Sequence, residues 1–406
     1  MSGPVVGALT LAPGWRGLWP LARLILGHVC LHASMAAMRL AAPLFALKQG
    51  QSALAVGGLL SLFALTQVFL SIPAGRYADR HGLRRPMGWA VVAASLGAVL
   101  TVVLPGMVTL CLAALCLGGA TGVSSIALQR HVGRMARDTT ELKRAFSLLS
   151  IGPALSNFVG PVAAGLLIDF ASRPFGGSEG DAVGFGAAFL LCALLPLCTW
   201  LWVRNAAELP ASPRPAGSTL DHVREVLGAA PMQRLLVVNW LLSSCWDVHT
   251  FVVPVLGHER DFSASVIGTI LGGFAVAAVA VRLVLPSLAE RLREWVVITA
   301  AMLATAVLFA VYPFMQSPWS MGLCSVFLGI ALGTVQPMVM STLHQITPDH
   351  LHGQAIAVRL MAINLSSVFM PMLFGSAGAV VGVSVVFWTV GAMVGAGAHL
   401  AWRLRP

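Results

Sequence analysis

Long apolar runs, each broken by a short polar or Pro/Gly-containing segment, follow one another from residue 19 almost to the end of the chain. Within them apolar and polar residues do not alternate, which excludes membrane-crossing strands of about 10 residues. Several runs reach the roughly 20 residues a helix needs to cross ~30 Å of hydrocarbon. The runs and their breakers predict twelve spans, near 19–47, 52–77, 86–106, 107–130, 144–169, 183–203, 232–256, 263–285, 295–314, 317–342, 354–380 and 382–402. The longest polar stretch, 204–231, separates an N-terminal six-helix unit (1–203) from a C-terminal one (232–406). Its Pro/Ser/Gly-rich start reads as a flexible cytoplasmic linker, and "TLDHVREVLG" within it as a short surface helix.

Composition agrees. The 406 residues are 57% hydrophobic and only 10% charged, too few charges to cover a water-facing surface, so the bilayer is the solvent. The formal charge of +10 does not call for nucleic acid, because the cations gather on one set of loops. With the N-terminus in the cytoplasm, that side holds Arg76, Arg80, Arg84, Arg85, Arg130, Arg134, Arg137, Lys143, Arg144, Arg204, Arg214, Arg224, Arg234, Arg291, Arg293, Arg403 and Arg405. The opposite side holds Lys48, Arg173 and Arg260. Both termini are therefore expected in the cytoplasm. The start of the chain lacks the charged n-region of a cleavable signal, so the first span is expected to be retained. Seven cysteines, an odd number without a CxxC pair, indicate neither disulfides nor a zinc site.

The two halves repeat one another. Pro43 and Pro254 lie 254 − 43 = 211 positions apart, and the same offset joins Asp79 to Glu290, Arg80 to Arg291, Gly118 to Gly329 and Gly122 to Gly333. After one deletion it becomes 210, joining Ser156 to Ser366, Pro161 to Pro371 and Gly165 to Gly375. Six spans repeated in the same orientation predict an all-α membrane protein: two bundles around a central cavity, related by an axis along the membrane normal and rocking to give alternating access.

Between the second and third spans, "GRYADRHGLRR" packs one acid and four arginines into a chain otherwise poor in charge. It resembles motif A of the major facilitator superfamily through Gly75, Asp79, Arg80, Gly82 and Arg84, with Leu83 in place of a usual basic residue. The glycines would let two helices end close together. The resemblance implies a cytoplasmic latch in which Asp79 faces the start of the eleventh helix near Gly353, with Glu290-Arg291 as its weaker copy. In the fifth span, "SNFVGPVAAG" resembles motif C of that family's proton-coupled exporters through Gly160, Pro161 and Gly165, with Ser156 and Ala164 as small replacements. Ordinary small-residue packing would give the same pattern, and the exporters' arginine within the fourth span is absent.

Of fifteen acids, only Asp247 lies well inside a span, about 20 Å from the cytoplasmic start of helix seven. A charge at that depth costs several kcal/mol unless paired or neutralised, which makes it a functional candidate. On the first span His28, His32, Met35 and Arg39 form one helical stripe. Through the repeat Arg39 corresponds to Thr250, about one turn beyond Asp247. An outer gate of Arg39 and Asp247, with His249 or His32 close by and released by protonation, is one reading. An Arg39 that snorkels outward and an Asp247 that caps a local polar pocket is the other.

The His28/His32 pair with Met35 would suit a soft metal ion, but no carboxylate accompanies it, and a polar face of the cavity explains it as well. Asn157, Asn239, Ser243, Trp246, Gln336, Arg359, Met361 and Asn364 complete the expected cavity, a few polar groups among apolar ones. The expectation is a monomeric secondary transporter in a bacterial inner membrane that needs no cofactor. Its partners are protons, the bilayer and a small molecule, and its activity is export of an amphipathic drug or secreted metabolite such as a siderophore. Uptake of a small organic anion with protons is the alternative, and metal transport is a more remote one. No nucleophile–base pair or metal triad points to an enzyme.

Overall fold

Twelve helices are long and apolar enough to cross a membrane in the computed structural model, which describes residues 15–135, 139–175, 181–208, 227–288, 293–347 and 352–405. They are α1 (Trp15–Lys48), α2 (Ala53–His81), α3 (Arg84–Val103), α4 (Met107–Met135), α5 (Thr139–Phe170) and α6 (Ala182–Val203), then α7 (Ala230–Glu259), α8 (Ala264–Leu288), α9 (Glu294–Val311), α10 (Pro318–Ile346), α11 (His352–Val381) and α12 (Val383–Trp402). Each coincides with one of the twelve apolar runs. Several outrun the apolar segment at the arginine-bearing end, as α4 does in reaching Met135, because a helix satisfies its own backbone bonds beyond the hydrocarbon too. Local caps set other ends. Ser52 accepts from the Ala55 amide, Asp181 from Gly184, and Ser317 and Ser320 form a capping box. Most of "TLDHVREVLG" falls outside the described residues.

Helices α1–α6 pack among themselves through α1–α5, α1–α6, α2–α4 and α3–α4, and α7–α12 do the same through α8–α10, α9–α12 and α9–α10. Two long seams join the halves, α5 along α8 and α2 along α11. The sequence repeat is visible in both levels of packing. Within each half a glycine lets two backbones touch: a Cβ on Gly118 would strike the Phe63 carbonyl and one on Gly329 the Phe274 carbonyl, and 274 − 63 = 211. Between the halves, a Cβ on Gly57 of α2 would strike the Pro371 carbonyl of α11, and one on Gly268 of α8 the Pro161 carbonyl of α5.

These contacts carry the first stability prediction. Overpacking a tight helix contact costs about 1–3 kcal/mol. Gly118→Val is expected to lower the melting temperature of the purified protein markedly, whereas Gly186→Ala, which has open space around it, should leave it unchanged. Equal melting of the two variants would refute the packing argument.

Candidate functional site

A cavity of about 250 Å³ lies at mid-height between the halves. Helix α1 contributes Met35, together with His32 and Arg39 of the expected gate, α5 contributes Asn157, α7 Trp246 and α11 Asn364. Its remaining wall holds Phe63 and Gln67 of α2, Ser125 of α4, Thr250 of α7, Phe274 of α8 and Ser367 of α11. Trp246 and Phe274 meet edge to face with ring centroids 4.5 Å apart, giving the cavity an aromatic wall.

Several expected lining residues stand elsewhere. His28 sits behind His32, 5.8 Å away between ring centroids, with Ser124 and Ser125 hydroxyls 3.4 Å from its two ring nitrogens. Among the described residues no group of three His, Cys, Asp or Glu side chains could hold a metal ion. Arg359 donates to both Asn239 and Gln336 inside the α7–α12 half, and Ser243 is not among the residues that line the cavity. Met361 is 63% exposed and shares a stripe with exposed Leu365, Phe369 and Met372, and it does not line the cavity.

Arg39 lines the cavity, while Asp247 is set back, buried, and accepts from the Ser367 hydroxyl at 3.3 and 3.2 Å. The contacts of Asp247 include Ser367 but not Arg39. Arg39 does not snorkel outward, and the hydroxyl, not the guanidinium, holds the carboxylate. His249 is absent from this group. Two residues beyond Asp247 a helix has turned about 200°, so His249 faces the interior of its own half. There it bonds to Ser325 at 2.9 Å and stacks on Phe274, and Ser325 in turn bonds to Tyr312 at 2.7 Å.

The arginine-poor end of the cavity is shut. Ser156 donates to the Val29 carbonyl and Gly160 lies against Ala33 and Ala37 of α1. Gly165 lies against Ala264 and Ser265 at the start of α8, just as Gly375 lies against Ala53 and Leu54 at the start of α2. So the glycines of "SNFVGPVAAG" serve two different contacts, Gly160 within its half and Gly165 across the seam.

Asp169, which looks like an ordinary span-end acid in the sequence, is 2% exposed and crosses the same seam. Its two carboxylate oxygens accept from the backbone amides of Ala264 and Ser265 at 3.1 and 2.6 Å. A carboxylate at a helix N-terminus satisfies orphan N–H groups and meets the positive end of the dipole, together about 1–2 kcal/mol. Asp169→Ala is accordingly expected to lower the population closed at this end about 5- to 30-fold relative to the open one. Distances between spin labels on the far ends of α5 and α8 would report it, and an unchanged distance distribution would remove Asp169 from the gate.

At the other end the α2–α3 turn is tied down by residues that follow α6. Gly82 has φ 74°, a conformation only glycine adopts freely, and a Cβ there would strike the Glu208 carboxylate. Glu208 accepts from the amides of Leu83 and Arg84 at 2.8 and 2.7 Å, and the Arg84 side chain returns a bond to the Ala206 carbonyl at 2.7 Å. Arg130 of α4 donates to the Ala78 carbonyl at 2.7 Å. Gly75 permits no close helix approach, its nearest foreign neighbour being Ile126 at 3.9 Å from a notional Cβ, and Arg80 is exposed. The side chain of Asp79, the side chains of 352–354 at the start of α11 that it would face, and Glu290 and Arg291 lie outside what the structure describes.

Residues 24–256 and 235–406 match the family model described as Major Facilitator Superfamily. The multidrug resistance protein MdtG of Salmonella typhimurium is 25% identical over 359 residues, covering 84% of each chain, and the protein of that name from Salmonella newport matches equally. Among solved structures, a bacterial homologue of the human lysosomal transporter Spinster superposes with a TM-score of 0.77 at 13% identity, over 97% of this chain and 99% of that one. A D-xylose–proton symporter superposes with a TM-score of 0.75 at 15% identity, over 95% and 97%.

Proposed function

Since the chain belongs to the Major Facilitator Superfamily and is a membrane transporter, we propose that it exports amphipathic organic molecules, drugs or secreted metabolites such as siderophores, in exchange for protons. The observation that carries this reading is the cavity: an aromatic and apolar part of the wall around Trp246, Phe274, Phe63 and Met35, a polar part with His32, Gln67, Asn157 and Asn364, one guanidinium, and a carboxylate set just behind a hydroxyl. The aromatic and apolar part accepts the apolar body of a solute without strict hydrogen-bond matching, and the polar part orients its polar end. The relatives named for multidrug resistance favour outward transport. The arginine-rich end is the cytoplasmic one, with both termini there. The chain then works as a monomer in the inner membrane of a bacterium, and the closed end faces outward.

In this reading Asp247 is the proton carrier. Its charged form attracts Arg39 across the α1–α7 interface and holds the halves together near the closed end. A proton arriving on the carboxylate cancels the attraction, leaves Ser367 as a neutral partner, and frees the bundles to rock. Arg39 then becomes available to an anionic or acceptor group on the solute.

Everted membrane vesicles, energised acid-inside and carrying a dye that reports the proton gradient, provide the test. Cationic drugs, organic anions and hydroxamate or catecholate chelators are added in turn. A solute that collapses the gradient identifies exchange and names the substrate class. Uptake of a small organic anion with protons, which Arg39 on the cavity wall also suits, takes precedence if no solute does so while right-side-out vesicles accumulate an anion.

A further inference from the structure

Arg359 of α11 is 2% exposed. Its Nε donates to Asn239 Oδ1 of α7 at 3.2 Å, its Nη2 to Gln336 Oε1 of α10 at 2.7 Å, and its Nη1 faces the Met340 thioether at 3.5 Å. None of these partners carries a negative charge, and among the described residues no carboxylate is paired with the guanidinium. Asp247 lies two turns farther along α7 and is held by Ser367, and Glu294 is bonded to Ser341 and Gln345. Beside the guanidinium, the Asn239 side-chain Nδ2 is buried with no hydrogen-bond partner. That orientation of the amide is fixed, because a flip would set its N–H₂ against the Arg359 Nε–H.

A buried cation without a counter-charge is costly, a thioether is a weak acceptor, and a buried unpaired donor in a native fold calls for a missing partner. The fold does not demand the cation. In the first half His28, Ser125 and Leu149 hold the positions related to Asn239, Gln336 and Arg359 by offsets of 239 − 28 = 211, 336 − 125 = 211 and 359 − 149 = 210. That half packs the same three-helix junction with a histidine, a serine and a leucine.

We propose that Arg359 and the Asn239 amide form a binding site for one monovalent anionic group, seated where Met340 now faces the guanidinium. One guanidinium balances one negative charge; a dianion would leave the excess buried. The group is either a free halide or the carboxylate of a transported molecule. Only the second source rests on the transport reading above, and the site itself does not.

Thermal unfolding of the purified protein in detergent tests this without transport. Chloride or benzoate is titrated into a sulfate buffer at constant ionic strength, for the wild type and for Asn239→Asp, which supplies an internal carboxylate to Arg359. A saturable rise in melting temperature of roughly 3 °C with both anions in the wild type, absent from Asn239→Asp, supports a general monovalent-anion site. The same pattern with benzoate alone supports a site for a cargo carboxylate. No saturable rise in the wild type, or an equal rise in Asn239→Asp, overturns the proposal. Arg359→Gln serves as a second variant and should likewise lose the response. Loss of dye-reported exchange in vesicles, by contrast, would bear on the transport reading alone.

Discussion

Gly165→Leu is expected to abolish transport while leaving the protein folded in the membrane. The position has no room for even a methyl group, since a Cβ would collide with the Ala264 carbonyl and come within 2.8 Å of the Ser265 Cα at the first turn of α8. The obstructing atoms are backbone, so no side-chain rotation relieves the clash. The collision exists only while the two halves touch at the arginine-poor end. Its cost of about 1–3 kcal/mol therefore falls on the closed state and shifts the balance toward the open one about 5- to 150-fold. A transporter that cannot shut one end cannot complete its cycle. The symmetry-related Gly375→Leu should act alike, because its Cβ would lie 2.7 Å from the Ala53 carbonyl. Gly58→Ala, one residue from the seam glycine Gly57 but facing open space, should transport normally. Counterflow in proteoliposomes measures all three, and wild-type rates for Gly165→Leu would show that the seam does not close during transport.

Asp247→Asn is expected to break the link between solute and proton movement. The asparagine keeps the size and the Ser367 hydrogen bond but carries no titrating charge. Gradient-driven accumulation should fall to background while solute counterflow, which needs no net proton movement, stays within about twofold of wild type. Arg39→Gln should do something different. Arg39 faces the cavity, whereas Asp247 is buried behind it, so removing the guanidinium takes a cation from the neighbourhood of a buried carboxylate and should lower the melting temperature. The double variant Arg39→Gln/Asp247→Asn is expected to melt above Arg39→Gln alone, because the uncompensated charge is gone. Equal melting of the single and double variants would mean that the two charges do not act on one another.

What could be read from the chain followed the physics of periodicity. Twelve apolar runs gave twelve helices, since a backbone in lipid has no other way to satisfy its hydrogen bonds. The offset of 211 reappeared as Gly57 on Pro371 and Gly268 on Pro161. Rotation about a helix was harder to read than depth along it. Asp247 and His249 share a depth, yet about 200° of turn sends one toward Arg39 and the other to Ser325. Ser367 was within reach, because 367 − 157 = 210 pairs it with Asn157, and both line the cavity. Asp169 was not. Its counterpart at 169 + 210 = 379 is an alanine, and its importance comes from meeting a helix end in the other half, a relation no local pattern encodes.

That mismatch has a consequence for how the closed end parts. Both seams rest on apposed glycines, but among the described residues only α5–α8 is bolted by a carboxylate, while the start of α2 is satisfied by its own Ser52. The two lips of the closure are thus unequal, and the α2–α11 lip is expected to yield first, with α5–α8 acting as the pivot. A solute leaving through this mouth would pass beside α2 and α11, and the bulk tolerated along that flank would set the size of molecule the transporter can release.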